Sequence, residues 1–206
     1  MQRGRLITIE GIDGAGKTTL ATSLRLALHS AERSVELLRE PGGVAASERI
    51  RSVVKDPALT VGPRAEALLY AAARAQLVDE ALEPLLAAGT WVLLDRFVDS
   101  SLAYQGAGRG LGIGAVREIN QFATRGMTPD RTLVLAIDPS VGRARSEHRG
   151  EPVDRLERED QSFYERIQAG YRELAAAEPA RIRTIDADQE PAQVLAEALA
   201  ALSDLI

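Results

Sequence analysis

A short strand, a glycine-rich turn and a helix, in immediate succession near the start of the chain, constrain its fold most. Residues 11–18 read Gly-Ile-Asp-Gly-Ala-Gly-Lys-Thr and fit the pattern G-x-x-x-x-G-K followed by Ser or Thr. The apolar run at residues 6–9 predicts a buried strand, and Leu20, Leu24 and Leu28 recur every four residues, as on one face of a helix. Because a phosphate-binding P-loop requires this context, we predict a P-loop here.

The chemistry of this loop follows from its backbone. Glycines let consecutive N–H groups turn inward without Cβ clashes, and together with the helix N-terminus these groups form an anion site. Lys17 is expected to reach the β- and γ-phosphates of a nucleotide, and the Thr18 hydroxyl is expected to bind Mg²⁺. The residues predicted to surround the phosphates are Gly11, Ile12, Asp13, Gly14, Ala15, Gly16, Lys17 and Thr18.

Composition indicates an ordinary globular protein. With 206 residues, of which 45% are hydrophobic, the chain is long enough for one α/β domain with a real core. A net charge of −5 argues weakly against nucleic acid as the main partner. The sequence contains no cysteine, no apolar run as long as a membrane span, and no apolar run long enough for a signal peptide behind its basic start. We therefore expect a single cytoplasmic domain over residues 1–206.

Strands alternate with helices along the chain, which predicts a five-stranded parallel sheet with helices on both faces. A glycine-rich connection is expected at residues 105–114, and a short charged lid at about 140–160. A long helix is predicted from Pro63 to about Ala88, closed by Gly89. The remaining predicted helices are 45–54, 115–124, 160–178 and 192–205, and the later strands are 35–38, 91–94, 132–137 and 183–185.

Charged residues follow the predicted strands at their carboxyl ends, where open parallel sheets bind ligands. Arg39 follows the second strand, Asp95 and Arg96 follow the third, and Arg74 comes from the long helix. Two anionic phosphates repel each other when they are brought together. The planar guanidinium of arginine can hold them, because it carries a positive charge and several N–H donors that match phosphate oxygens. Each arginine taken alone could equally be a solvated surface charge.

Four segments, in order, resemble the thymidylate kinase family of nucleoside monophosphate kinases. They are residues 39–43, residues 68–76, residues 95–97 with 100–106, and residues 154–157, and the resemblance extends from residue 6 to about 188. It implies that the substrates are ATP and dTMP, that Mg²⁺ is required, and that the products are dTDP and ADP. It also implies a homodimer, in which the long helix could take part.

The resemblance implies a role for each residue of the acceptor site. Asp13 would accept a hydrogen bond from the 3′-hydroxyl of the acceptor sugar, and Arg39 and Arg96 would clamp its 5′-phosphate. Tyr70 would stack on the thymine ring, and Arg74, one helical turn further on, would meet the base edge. Tyr70 could instead be a core aromatic residue packed on the sheet.

Other roles follow from the same resemblance. Asp95 would help to orient Mg²⁺ through water. Ser101 and Gln105 would line the base pocket. Tyr104 would pack near the 2′ carbon of the sugar, where a bulky ring leaves no room for a 2′-hydroxyl.

The charged lid is expected to supply the catalytic cation. Two forms of the family differ in whether this cation comes from the P-loop or from the lid, and P-loop residues 12–15 include no base. We predict that Arg149, which precedes Gly150, is the catalytic arginine and that Arg143 lies against the ATP adenine. Most of the lid arginines could merely pair with acidic neighbours; they are Arg143, Arg145, Arg149, Arg155 and Arg158.

Two alternative functions remain open from the residues alone. A deoxynucleoside kinase would need a carboxylate base near the 5′-hydroxyl, and Glu40 could supply it. A nucleotide-dependent switch, similar to a small GTPase, is the alternative from another class. The absence of an Asn-Lys-x-Asp guanine motif from the sequence counts against the switch.

Overall fold

The computed structural model describes residues 3–147, 155–156 and 158–206. The five strands in these ranges are β1 (Leu6–Gly11), β2 (Val35–Arg39), β3 (Trp91–Asp95), β4 (Arg131–Ala136) and β5 (Ile182–Asp186). They form one parallel sheet in the order β2-β3-β1-β4-β5, which confirms the predicted five-stranded parallel sheet. The carboxyl ends of all five strands therefore share one edge.

Helices cover both faces of this sheet. They are α1 (Lys17–Ser30), α2 (Ala45–Lys55), α3 (Pro63–Leu77), α4 (Glu83–Ala87), α5 (Val98–Ser101), α6 (Ile113–Thr124), α7 (Pro139–Glu147), α8 (Gln161–Ala177) and α9 (Pro191–Ala201). Within the described ranges, no helix combines the length and the apolar character needed to cross a membrane.

The side chains of the central strands alternate between two hydrophobic clusters. Ile7 and Leu93 are register partners and belong to a larger cluster that includes the inner faces of α1, α8 and α9. Leu6 and Val92, also partners, belong to a smaller cluster with residues of α3 and α4. The central strands β1 and β3 thus bury both faces, as expected for a parallel sheet between helical layers.

Two helical segments are wider than α-helices. The predicted long helix is present, but Val78–Leu82 forms a π turn between α3 and α4, just before Pro84, which has no N–H to donate. The start of the glycine-rich connection is also helical, because Leu102–Gly108 forms a second π segment. There a Cβ on Gly108 would lie 2.8 Å from the ring of Phe163, so this glycine permits close helix packing.

A buried carboxylate on β1 joins the carboxyl ends of two strands. Glu10 is fully buried and accepts hydrogen bonds from the Phe97 amide at 2.8 Å, from the Tyr171 hydroxyl at 3.0 Å and from the Ser100 hydroxyl. Burial, reinforced by the negative charge of Asp99, raises the pKa of Glu10 to about 7. These hydrogen bonds fix the chain immediately after β3, where it enters α5.

We predict that Glu10 makes stability fall as the pH rises. The folded pKa lies above the unfolded value of 4.5, so the folded state holds the proton more tightly and loses stability between about pH 4.5 and pH 7. Between pH 4 and pH 8, the unfolding free energy of the wild type should fall by about 3 kcal/mol relative to Glu10→Gln.

Urea unfolding at several pH values measures this difference. Glu36→Gln, which changes an exposed carboxylate on β2, is the control and should keep the wild-type pH dependence. Parallel stability curves for the wild type and Glu10→Gln would contradict the prediction.

Candidate active site

A cleft of about 670 Å³ opens at the carboxyl edge of the sheet. Its position agrees with the general rule for ligand sites in open parallel sheets. It is walled by the P-loop, the ends of β2 and β3, and parts of α3 and the second π segment. The predicted site residues that line it are Asp13, Lys17, Thr18, Arg39, Tyr70, Asp95, Arg96, Ser101, Tyr104 and Gln105.

A second cavity, of about 360 Å³, lies on the other side of the P-loop. Gly14 and Gly16 line it with positive φ values of 78° and 90°, the left-handed region that favours glycine. Lys17 and Thr18 line both cavities. A phosphoryl group that passes between two bound nucleotides would therefore cross the start of α1.

The Lys17 ammonium lies inside the P-loop. Its Nζ donates to the carbonyl of Ile12 at 2.8 Å and lies 3.9 Å from the Asp13 carboxylate. Burial, together with the nearby Arg96 charge, lowers the pKa of Lys17 to about 8. A phosphate beside Nζ would stabilise the ammonium form, so ligand binding restores the full charge.

Arg96 fastens the end of β3 to the P-loop. Its guanidinium donates to the Gly11 carbonyl at 2.9 Å and to Asp13 Oδ1 at 2.7 Å, and lies 5.0 Å above the ring centre of Tyr104. Its φ of 72° is in the left-handed region, which is strained for a side chain of this kind. Burial by itself would raise the pKa of Asp13. The positive charges of Arg96 and Lys17 outweigh this effect and lower that pKa to about 2.

Thr18 and Asp95 provide oxygen atoms suited to Mg²⁺. The Thr18 hydroxyl donates to Asp95 Oδ2 at 3.3 Å, whereas Asp95 Oδ1 is buried with no hydrogen-bond partner among the described residues. The described part of the chain contains no cluster of three or more His, Cys, Asp or Glu side chains for a metal. This set suits an ion that keeps several waters and takes further ligands from substrate phosphates, as Mg²⁺ does.

Arg74 is buried and is not among the residues that line the cleft. It is 1% exposed, and its guanidinium donates to Glu40 at 2.8 Å, to Ser101 at 3.0 Å, to the Phe97 carbonyl at 2.9 Å and to Asn120. Ser101, one of these partners, lines the cleft, so Arg74 is joined directly to the cleft wall. Its contact with a base edge stays a prediction.

The remaining acceptor-side residues differ in exposure. Arg39 is exposed and forms an ion pair with Glu48 at 3.2 Å, and Tyr70 is partly buried against the larger hydrophobic cluster. Tyr104 is buried, and its hydroxyl has no hydrogen-bond partner within the described ranges. Gln105 is buried as well and donates to Glu66 at 2.9 Å.

The lid arginines take different places. Arg145, not Arg143, lines the second cavity, and it donates to the Ala187 carbonyl at 2.9 Å. Arg143 is exposed on α7. The predicted catalytic Arg149 lies outside the described residues. Arg155 forms an ion pair with Glu66 at 2.6 Å.

The sequence did not single out Glu10 or Glu66. Both are buried carboxylates: Glu10 binds the chain directly after β3, and Glu66 binds Gln105 on the cleft wall. Glu10 was detectable in principle, because a carboxylate inside an otherwise apolar strand requires a buried partner. Glu66 gave no such signal, since an acidic residue in the first turn of a helix is common.

Comparisons with known proteins agree with this geometry. A family model described as thymidylate kinase matches residues 9–198. A thymidylate kinase of Deinococcus radiodurans is 48% identical over 204 residues, covering 99% of this chain and 98% of the relative. One from Lactobacillus delbrueckii subsp. bulgaricus is 47% identical over 197 residues, covering 94% and 93%. The crystal structure of thymidylate kinase from Ehrlichia chaffeensis matches with a TM-score of 0.81 at 28% identity, covering 98% of this chain and 99% of that one.

The family assignment follows from these matches together. The family model covers more than half of the chain, and both relatives are similar to it over nearly their whole length. The match in structure extends the likeness to the complete fold. The chain therefore belongs to the thymidylate kinase family of ATP-dependent nucleoside monophosphate kinases.

Proposed function

We propose that the chain transfers the γ-phosphoryl group of ATP to dTMP, giving dTDP and ADP, by direct in-line displacement. The observation that carries this proposal is that Lys17 and Thr18 line both the acceptor cleft and the second cavity. The acceptor phosphate is already an anion, so no general base is needed. Catalysis then consists of positioning and charge neutralisation, with no covalent enzyme intermediate.

We assign the cleft to dTMP. Arg39 and Arg96 clamp its 5′-phosphate, since both guanidinium groups line the cleft and each forms charge-assisted contacts. Asp13 accepts a hydrogen bond from the 3′-hydroxyl, which its low pKa favours because the carboxylate stays ionised. Tyr70 stacks on the thymine, and Tyr104 fills the space beside the 2′ carbon.

We assign the second cavity to ATP. Residues 11–18 hold the phosphates, and Lys17 contacts the β- and γ-phosphates. Thr18 and Asp95 would hold Mg²⁺, which supplies positive charge to the phosphates when it is bound. Of the lid arginines, Arg145 is better placed than Arg143 to contact the donor nucleotide. The enzyme would act in the cytoplasm.

A homodimer is the proposed assembly. Helices α3 and α6 lie side by side, and they carry two exposed apolar side chains, Leu68 at 56% and Phe122 at 91% exposure. Such apolar side chains on neighbouring helices suit an interface between copies of the chain. Sedimentation equilibrium measures the mass in solution, and a monomer at micromolar concentration would contradict the assembly.

An acceptor panel tests the function. ADP release should be fastest with dTMP and much slower with thymidine, with purine nucleoside monophosphates and with the ribonucleotide of thymine. Preference for thymidine would favour a deoxynucleoside kinase with Glu40 as its base.

The same panel tests Tyr104, because Tyr104→Ala should narrow the ratio of kcat/KM between the deoxy and ribo acceptors. An unchanged ratio would leave Tyr104 a packing residue.

Arg96→Ala should weaken use of dTMP more than use of ATP. Losing a charge-assisted contact costs about 1.5–3 kcal/mol, which corresponds to a loss of about 10- to 150-fold in kcat/KM for dTMP. Arg117→Ala on α6 is the control, since Arg117 is partly exposed and pairs with Glu178. Steady-state kinetics with each substrate varied in turn make the comparison, and equal losses for both substrates would contradict the assigned clamp.

The lid arginines can be separated by single-turnover kinetics. We propose that Arg149 neutralises charge on the migrating phosphoryl group, so Arg149→Ala should slow the chemical step by about 10³-fold while dTMP affinity changes little. Arg143→Ala should leave that step close to the wild-type rate. A wild-type chemical step in Arg149→Ala would remove this residue from the mechanism.

A further inference from the structure

We propose that Ser100 and Glu10 are positioning residues that decide which edge of the Arg96 guanidinium meets the acceptor phosphate, an inference that rests on the proposed function. Ser100 belongs to α5 and is 7% exposed where it lines the acceptor cleft. Glu10 is fully buried on β1 and does not line the cleft. Any effect of Glu10 on a ligand must therefore pass through the groups that it binds.

The contacts of Arg96 leave one edge of its guanidinium for a ligand. A guanidinium has one hydrogen on Nε and two on each terminal nitrogen. Nη1 donates to the Gly11 carbonyl at 2.9 Å and to Ser100 Oγ at 3.2 Å, so both of its hydrogens are used. Nη2 donates once, to Asp13 Oδ1 at 2.7 Å.

The donors that remain lie next to each other. Among the described residues, Nε of Arg96 and the second hydrogen of Nη2 have no acceptor. Nε and Nη2 together form the side edge of the guanidinium, which can hold two oxygens of one phosphate. By occupying Nη1, Ser100 keeps this side edge for the acceptor.

The direction of the hydrogen bonds around Ser100 is set by Glu10. A carboxylate accepts hydrogen bonds and donates none. Oε2 of Glu10 accepts from the Ser100 hydroxyl, and it also accepts from the Tyr171 hydroxyl at 3.0 Å. Because the Ser100 proton points at Glu10, lone pairs of Ser100 Oγ are left to accept from Nη1 of Arg96.

Glu10 also holds the backbone beside Arg96. The φ of 72° at Arg96 is strained, and such a conformation persists only where its surroundings fix it. The Arg96 amide donates to the Ile9 carbonyl at 3.0 Å, and the Phe97 amide donates to Glu10 Oε1 at 2.8 Å. Consecutive residues of β1 thus bind the peptide groups on both sides of Arg96.

A comparison of dTMP with thymidine isolates the contact with the phosphate. The two ligands share the base and the sugar and differ only in the 5′-phosphate. Calorimetry gives the dissociation constant of each, and we call the constant for thymidine divided by that for dTMP the phosphate ratio. The measurements are made at pH 8, where Glu10, whose pKa is about 7, is mostly ionised.

Ser100→Ala should lower the phosphate ratio about 5- to 10-fold, the factor expected for loss of one hydrogen bond, by weakening dTMP and not thymidine. Glu10→Gln should lower it to a similar extent. Glutamine keeps an acceptor for the Phe97 amide, but it places a donor where Oε2 accepted from Ser100. In the Arg96→Ala background, Ser100→Ala should cause no further loss, because no guanidinium is left to hold.

A matched control separates positioning from stability. Ser47 is also buried, and its hydroxyl donates to the Ala73 carbonyl at 2.7 Å, but it does not line the cleft. Ser47→Ala should keep the wild-type phosphate ratio even where thermal unfolding shows that its melting temperature is lower.

Each outcome decides the inference. Equal weakening of dTMP and thymidine by Ser100→Ala, or an undiminished further loss in the Arg96→Ala background, would overturn it. An unchanged phosphate ratio in Glu10→Gln would overturn the role of Glu10, and if that variant does not fold, Ser100→Ala decides alone.

The same measurements distinguish this inference from the proposed function. A wild type that binds dTMP no more tightly than thymidine would overturn the proposed acceptor site. Tight binding of dTMP by the wild type, with an unchanged phosphate ratio in Ser100→Ala, would overturn only the positioning role.

Discussion

The contact between Arg96 and the P-loop joins the two halves of the site. Parallel pairing of β1 with β3 sets Ile9 opposite Asp95, so the residues that follow the two strands meet at one edge. The Arg96 guanidinium then bonds both the Gly11 carbonyl and the Asp13 carboxylate. The cation proposed to clamp the acceptor is thereby fixed to the loop proposed to hold the donor.

The pKa values of two carboxylates at this edge are shifted in opposite directions, although the two residues are only three positions apart in sequence. Asp13 lies between the charges of Arg96 and Lys17, which outweigh its burial and lower its pKa. Glu10 is surrounded mainly by uncharged donors and lies near Asp99, so burial prevails and raises its pKa. Asp13 is therefore an ionised group on the wall of the cleft, whereas Glu10 is a buried group that holds the chain after β3 in place through hydrogen bonds.

The sequence by itself determined the class of fold and the place of the site. Both rest on local patterns: the spacing of residues 11–18, the apolar runs of the five strands, and charged residues such as Arg39 and Arg96 directly after strands. Hydrophobic periodicity depends on neighbours within a few residues, and parallel strands must bring their carboxyl ends together. The sheet, its helical layers and the cleft were therefore predictable.

Only the tertiary structure decided how individual side chains are used. Arg74 is hydrogen-bonded to Glu40 and Ser101, which lie 34 and 27 residues away in the sequence. Glu66 binds Gln105, 39 residues further on, and the still more distant Arg155, and no local pattern marks such a meeting. A buried polar group must find its partners wherever packing brings them, so these roles depended on the complete fold.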